Sequence, residues 1–419
     1  MKILSITAQK PHSTGSGTYL TELVRAWNRA GHEQAVVAGI YRDDVVEFPA
    51  EVKFFPVYFC EGQNSNASAE ACDIPFPIVG MSDVMPYEST RYRDLTPQMI
   101  EQFEKAFIRQ IEAAIESLNP DIIVCHHLFL LTALVRKHFP DRIIYGICHG
   151  TCLRQTINCE QLRAIVQPEI RKLDRIFALH NEQAENIVEI IDDGDEHSKI
   201  ADRTSVIGSG YNDQLFNRSD RIDYQPGHPV RICYAGKMSK AKGIPELLAA
   251  LRRLEIDPTV HSFAMTLAGG CQDSEVQATI DKLTADSACY SWLGQIPQTE
   301  LANVYKTNDI FVLPSFFEGL NLATIEAMAS GLIPICTDLP GMKEWIDANV
   351  DNPNVRYVAM PEMLTLDTPS DRGREHFGSE LEGVLRQTIA EVAAGKEWVQ
   401  PDTSRITWDS VAYKIIEFL

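Results

Sequence analysis

The sequence predicts an α/β fold in two halves, each a parallel sheet flanked by helices. Three observations carry that prediction. Short apolar runs, each ending in a glycine or histidine turn and followed by a helical pattern, recur over residues 1–40 and again over 121–216. The same alternation restarts at residue 230, after a polar stretch (218–229) that contains Pro226-Gly227. Residues 309–346 then read as a strand–turn–helix–strand unit. A chain of 419 residues holds two or three domains at roughly 150 residues each, and 45% hydrophobic residues suffice for two sizeable cores.

Composition narrows the function classes. A net charge of −20 and a pI near 5.0 argue against nucleic acid and against non-specific adhesion to anionic membranes. No stretch is long and apolar enough to span a bilayer, and the N-terminal apolar run is too short for a signal peptide. The expected location is cytoplasmic, with peripheral membrane association left open. Ten cysteines do not make a disulfide framework in a chain of this size, and Cys125, Cys148, Cys233 and Cys336 lie in apolar runs as small buried hydrophobes. Cys148, Cys152 and Cys159 cluster near His149, but without the paired spacing of a zinc module, so no metal is expected.

In chain order, residues 2–7 form the first strand and 8–16 a loop ending in Gly15-Ser16-Gly17. A helix over 18–30 follows, with Leu20, Leu23, Val24 and Trp27 at helical spacing, and then a strand over 34–40. A strand–glycine loop–helix order suits phosphate binding on backbone amides, although many α/β proteins carry a short glycine turn here. Residues 54–59 read as a strand. The polar stretch 61–92 reads as a long loop, either an acceptor-binding flap or a surface excursion. Thr96-Pro97 opens an amphipathic helix running to about residue 118. Strands over 121–125, 142–148 and 175–179 lead to His126-His127, His149-Gly150 and His180-Asn181, so histidines stand at the carboxyl ends of three successive strands, where parallel sheets hold ligands. A single histidine there is as often structural as functional.

The second half begins with a strand over 230–235 that runs into Gly236-Lys237 and on to Lys242-Gly243, then a helix over 244–254. Strands over 264–267 and 289–293 follow, the latter leading to Gln295-Ile296-Pro297 and a helix with Leu301 and Tyr305. After the strand at 309–313, Glu318 sits in a turn and Glu326 a little over one turn into a helix that starts near Asn321 or Leu322. A lone glutamate on a helix is usually solvated. Glu326 is flanked by Ile325, Ala327 and Met328, on a helix too small and apolar to lie at the surface, so its charge needs a partner. A further strand (332–336), the Pro340-Gly341 turn and a helix with Glu344 complete the unit. In the tail, Trp408, Val411 and Ile415 keep helical spacing.

The segment PSFFEGLNLATIEAMASGLIP resembles the signature of retaining GT-B glycosyltransferases of the family 4 type, which runs PS-x-x-EGFG-x-x-x-LEAMA-x-G-x-P with two glutamates separated by seven residues. Leu320-Asn321 stands where that family has Phe-Gly. The turn at 236–243 is similar to the family's G-R-x4-K-G, with Lys237 in place of arginine, a change that forfeits the bidentate fork. Ile147-Cys148-His149-Gly150 resembles its strand–His–Gly turn, and 204–216 its interdomain segment.

This resemblance implies two Rossmann-like domains facing across a cleft, an acceptor-side domain over 1–207 and a donor domain over 208–403, with the helix at 404–419 packed back on the first. It implies transfer of a sugar, with retention and without a metal, from a nucleotide diphosphate sugar (a UDP- or GDP-sugar) to a hydroxyl acceptor of unknown kind. No organic cofactor is implied. In the implied site Lys237 and Lys242 neutralise the diphosphate, Glu326 holds the ribose, and Glu318 and His149 meet the donor sugar. Gly15, Ser16, Gly17, Gly236, Gly319, Leu320, Asn321, Leu322 and Ile296 line the donor. No Asp-x-Asp motif ends a strand, Asp193-Gly194-Asp195 being read as a polar helix-end turn. A non-catalytic nucleotide-sugar binder, an epimerase or a phosphorylase fits the same fold, and a glycoside hydrolase using the two glutamates leaves the glycine–lysine turn unexplained.

Overall fold

A computed structural model describes the chain apart from residues 62–71, 84, 192–196, 319 and 366 and the side chains of 197–199. Gly319, Asp193-Gly194-Asp195 and much of the long polar loop therefore lie outside the described residues. The chain divides into two compact units, Met1–Ser209 with Trp408–Leu419, and Gly210–Thr407.

The first unit is built on seven strands: β1 (Lys2–Thr7), β2 (Glu33–Ile40), β3 (Lys53–Tyr58), β4 (Ile122–His126), β5 (Ile144–Ile147), β6 (Arg175–Ala178) and β7 (Thr204–Val206). Their order is β3-β2-β1-β4-β5-β6-β7, and every neighbouring pair is parallel. Both faces of the central strands are covered, which is why β1, β4 and β5 are buried along nearly their whole length rather than at alternate residues. Helix Pro97–Leu118 starts where Thr96 Oγ1 accepts from the Met99 N–H at 3.3 Å, and it stops at Asn119 in the left-handed region. Its stripe of Phe103, Phe107, Ile111, Ala114 and Leu118 is buried, and each phenylalanine contributes roughly 1.5–3 kcal/mol by leaving water.

Helix Trp408–Ile416 buries Trp408, Val411, Ala412 and Ile415 in this same unit. The Trp27 indole N–H donates to the Ala412 carbonyl at 3.1 Å, Arg29 pairs with Asp409 at 2.5 Å, and the Tyr145 hydroxyl donates to the Phe418 carbonyl at 3.0 Å. One feature was not expected from the sequence: Cys60 and Cys72 form a disulfide just beyond β3. Beside it, Asp73 accepts from the Tyr58 N–H and pairs with Arg109.

The second unit has β8 (Val230–Ala235), β9 (Phe263–Ala268), β10 (Tyr290–Trp292), β11 (Ile310–Leu313), β12 (Ile333–Thr337) and β13 (Arg356–Val358), ordered β10-β9-β8-β11-β12-β13 and again parallel throughout. Helix Asp371–Ala393 packs on helix Ile244–Ile256, and Arg374–Glu246 and Arg253–Glu382 ion pairs join the two. The polar stretch 218–229 is more than a solvated connection. The Arg221 side chain is mostly covered there, donates to the Asn308 carbonyl at 2.9 Å, and lies 3.8 Å from Asp309, which also takes one backbone and two side-chain bonds from Arg231. In each sheet the strand order reverses at one place, between β1 and β4 and between β8 and β11. The carboxyl ends of those strands bound the crevice in which open α/β sheets bind ligands.

Candidate functional site

In the second unit the reversal point is where the candidate charges meet. Beyond β8, Gly236 and Lys237 are exposed, and the Tyr234 hydroxyl reaches out of the strand to donate to the Lys237 carbonyl at 2.9 Å. The turn then tightens into a 3₁₀ segment, Lys240–Lys242, and closes at Gly243, whose φ is +65°. A Cβ on Gly243 would come within 2.1 Å of the Pro314 carbonyl oxygen, so only glycine lets the turn lie against the end of β11. The Phe316 N–H donates to the Ala241 carbonyl at 3.0 Å and fixes the same approach.

That packing brings Lys242 to Glu318. The ammonium lies 2.6 Å from Glu318 Oε1, both side chains being mostly covered, and it also donates to the Phe317 carbonyl at 3.3 Å. Ser315 Oγ donates to the same carboxylate oxygen at 2.9 Å. Lys237 has no ion-pair partner among the described residues, whereas Lys240 pairs with Glu275. Burial, and then the Glu318 charge, push the Tyr234 hydroxyl well above its ordinary pKa, so it stays a neutral donor.

Helix Leu322–Ala329 follows at once. Leu320 and Asn321 are buried, and the Asn321 side chain caps the helix by accepting from the Thr324 N–H at 3.2 Å. Glu326 is 7% exposed. At helical spacing it shares a face with half-buried Leu322, Ala323 and Ala329, whereas Ile325, Ala327 and Met328 turn into the core. Beneath it lies Tyr305, whose hydroxyl donates to the Ala323 carbonyl and is held protonated by burial and by the Glu326 charge. Ile296 is half-buried just ahead of helix Gln298–Lys306, and no recorded bond joins it to the Lys242–Glu318 pair.

In the first unit, Gly15, Ser16 and Gly17 are not loop residues: they form the first turn of helix Gly15–Arg29. Thr14 is the cap, its hydroxyl accepting from the Gly17 N–H at 3.2 Å and bonding Ser16 Oγ at 3.1 Å, so the helix starts three residues earlier than its apolar stripe suggests. A Cβ on Gly17 would come within 2.6 Å of the Lys10 carbonyl oxygen.

His149 lies across from that turn in a histidine cluster. Its Nε2 is 3.1 Å from His126 Nδ1, the two rings are stacked at an interplanar angle of 9°, and His127 and Tyr19 pack against it with ring centroids 4.8 and 5.1 Å away. Burial, reinforced by the neighbouring imidazoles, holds His149 well below its usual pKa and lowers His126 to about 3. Both are neutral at pH 7. His180 is buried and accepts from the Gln183 N–H at 3.2 Å.

The sequence did not single out Tyr19, Tyr234, Tyr305 or Ser315. The tyrosines occupy core positions of a helix or a strand, so only their hydroxyl partners distinguish them from packing residues. Among the described residues no group of three or more histidine, cysteine or acidic side chains is arranged to hold a metal ion.

Residues 218–359, which contain both glutamates and the lysine turn, match the model of the family described as glycosyl transferases group 1. Over these residues the chain is similar to the group 1 glycosyl transferases. The O-antigen chain mannosyltransferase B of Escherichia coli is 30% identical over 125 residues, 29% of this chain and 32% of that protein. The chain spans about a third to two-fifths of the length of the first curated relatives it matches. Among solved structures, the sucrose-phosphate synthase from Thermosynechococcus elongatus superimposes with a TM-score of 0.66 at 16% identity, covering 100% of this chain and 98% of that one. The Anabaena protein HepE in complex with UDP and glucose does so at 0.57 and 14%, covering 100% and 98%. The group 1 segment thus sits in a chain whose two units have the GT-B fold of paired Rossmann-like domains.

Proposed function

We propose that this protein is a glycosyltransferase that moves a sugar from a nucleotide diphosphate sugar to an acceptor hydroxyl, with retention at the anomeric carbon and without a metal ion. The observation that carries this reading is the Lys242–Glu318 pair at the reversal point, one helix start away from buried Glu326. As the glycosidic bond breaks, negative charge grows on the leaving diphosphate. Fixed cations stabilise that charge, and Lys242 and exposed Lys237 are in place to supply them. The Lys242 ammonium carries three protons, so it can donate to a phosphate while keeping Glu318.

In this reading Glu326 accepts from the ribose hydroxyls and Glu318 orients the sugar. Neutral His149 offers the donor sugar a hydrogen-bonding nitrogen without a competing charge. The departing phosphate takes the acceptor hydroxyl's proton, so no protein carboxylate forms a covalent bond. The donor is a UDP- or GDP-sugar, and the structural neighbour in complex with UDP makes UDP the first base to try. Among the described residues no helix is long and apolar enough to cross a membrane.

The test is a thermal-shift panel of UDP, GDP, ADP, TDP and CDP on the wild type and on Glu326→Ala, followed by donor turnover with the sugars of whichever base binds. Ligand at a hundred times its Kd stabilises by about 2.7 kcal/mol, a readily measured shift. One diphosphate that shifts the wild type alone, with donor consumed when acceptor is added, is the expected result. Binding with no donor consumed under any acceptor would sink the catalytic reading in favour of a nucleotide-sugar binder.

A further inference from the structure

Cys148 follows directly on β5, and Cys152 lies in the first turn of helix Thr151–Asn158. Both are fully buried, and their sulfurs are 3.5 Å apart, in direct contact. The chain's other buried free cysteines differ. Burial raises the Cys125 thiol to about 12 and also raises Cys159, Cys233 and Cys336, and none of them has a thiol neighbour among the described residues, so they are inert packing residues. At Cys152 burial acts in the same direction, but the bond from the Cys148 thiol and the adjacent His127 imidazole outweigh it and favour a thiolate, while Cys148 is held protonated by burial. Half-exposed His149, Gly150 and Thr151 separate the pair from solvent. Elsewhere in the same unit Cys60 and Cys72 are joined as a disulfide.

We propose that Cys148 and Cys152 form an oxidative modification site, a thiol pair that a peroxide closes to a disulfide, displacing the His149-Gly150-Thr151 segment held between them. The Cys152 thiolate attacks one peroxide oxygen, and the O–O bond breaks to leave a sulfenic acid and hydroxide. Cys148 sulfur then attacks the Cys152 sulfur and expels a second hydroxide. The two thiol protons complete two waters, so two thiols lose two electrons and one peroxide gains them. An S–S bond is about 2.05 Å long, so the sulfurs close by about 1.5 Å. Gly150, at φ +81°, is the one residue between them whose backbone yields easily. The displacement falls on His149, whose Nε2 rests 3.1 Å from His126. This consequence for turnover depends on the place proposed for His149 at the donor sugar, and a 1 Å misplacement there costs roughly 10²-fold in rate.

The full-length protein, treated with hydrogen peroxide and then alkylated under denaturing conditions, is mapped by peptide mass. The expected product is a peptide carrying Cys148 and Cys152 unalkylated and two hydrogens lighter, restored by dithiothreitol, with a turnover loss that reverses in parallel. Two alkylated thiols at 148 and 152, when partly exposed Cys271 and Cys289 have already oxidised, overturn the proposal. So does over-oxidation of Cys152 without pairing to Cys148. A disulfide that forms with turnover unchanged leaves the modification site standing and overturns both its coupling to catalysis and the place given to His149.

Discussion

Lys242→Met removes the ammonium and keeps most of the apolar stem, so it separates charge from packing. The Lys242 and Glu318 side chains are 25% and 19% exposed, so their pair is neither a surface bridge nor a fully buried one. Breaking it falls between the roughly 0–1 kcal/mol of exposed pairs and the roughly 3–5 kcal/mol of buried ones, and about 1–2 kcal/mol is expected, because Ser315 still donates to the stranded carboxylate. For a unit of this size that is a fall in Tm of roughly 2–8 °C. The chemical step loses more. Removing one fixed donor from charge that develops only in the transition state costs about 10²–10³-fold in kcat. The affinity for the parent nucleoside, which has no phosphate for Lys242 to meet, stays near the wild-type value. The assay is steady-state turnover of the identified donor alongside nucleoside binding by calorimetry. Equal losses in kcat and nucleoside affinity would refute the reasoning, since the lysine would then give uniform binding or merely hold the turn.

Three further outcomes are expected. Glu326→Ala abolishes the nucleoside diphosphate thermal shift while the ligand-free Tm stays within a few degrees of wild type, and an unchanged shift removes Glu326 from the ribose. His126 has a folded pKa of about 3 against about 6.5 unfolded, so the unfolded chain takes up its proton first as pH falls, and stability is lost from about pH 6.5 downward. That loss is about 2 kcal/mol at pH 5 from this residue alone; urea unfolding at pH 7 and pH 5 should show it in the wild type and a smaller drop in His126→Asn, and parallel drops in both would exclude His126 as the source. Gly243→Ala forces both a left-handed φ and a clash with the Pro314 carbonyl, so it costs at least about 2 kcal/mol by denaturant unfolding and loosens Lys242 from Glu318. A neutral Gly243→Ala would mean that the turn can move off β11.

The fold class was legible because both sheets are parallel and covered on both faces, which makes most strands mainly apolar runs ending in a turn residue. β8, for example, is read at its structural bounds, and helix Leu322–Ala329 at its capping asparagine. Helix Gly15–Arg29 was misjudged at its start because its first turn is glycine and serine, residues that favour loops until a threonine cap and the close approach of Lys10 select the helix. Arg221 reads in the sequence only as part of a polar linker because its acceptor, the Asn308 carbonyl, lies far along the chain. The Cys60–Cys72 disulfide was missed for a related reason: two cysteines among ten say nothing about which pair the fold brings within bonding distance. In the candidate site, Glu318, Glu326 and Lys242 could be named from spacing, but not that Lys242 and Glu318 pair with each other. That depends on Gly243 and Pro314 touching, a contact between segments some seventy residues apart.

The two reversal points differ in charge, and the difference follows from what surrounds each. In the first unit His126 and His149 are neutral at pH 7 because burial and mutual proximity penalise their charged forms. They can donate and accept hydrogen bonds and cannot attract an anion from a distance. In the second unit the turn after β8 sets Lys237, Lys240 and Lys242 within six residues of a chain whose net charge is −20. Lys240 is tied to Glu275 and Lys242 to Glu318, so Lys237 is the cation of the three left uncompensated among the described residues. At physiological salt the field of the distant acidic surface is screened beyond about 8 Å, so an approaching diphosphate feels this turn rather than the total charge. A neutral histidine cluster can hydrogen-bond hydroxyls without drawing in an anion, and a locally cationic turn at a helix start suits a phosphate. The acidic composition therefore excludes polyanions that need a broad basic face and leaves room for a small dianion that needs only one turn.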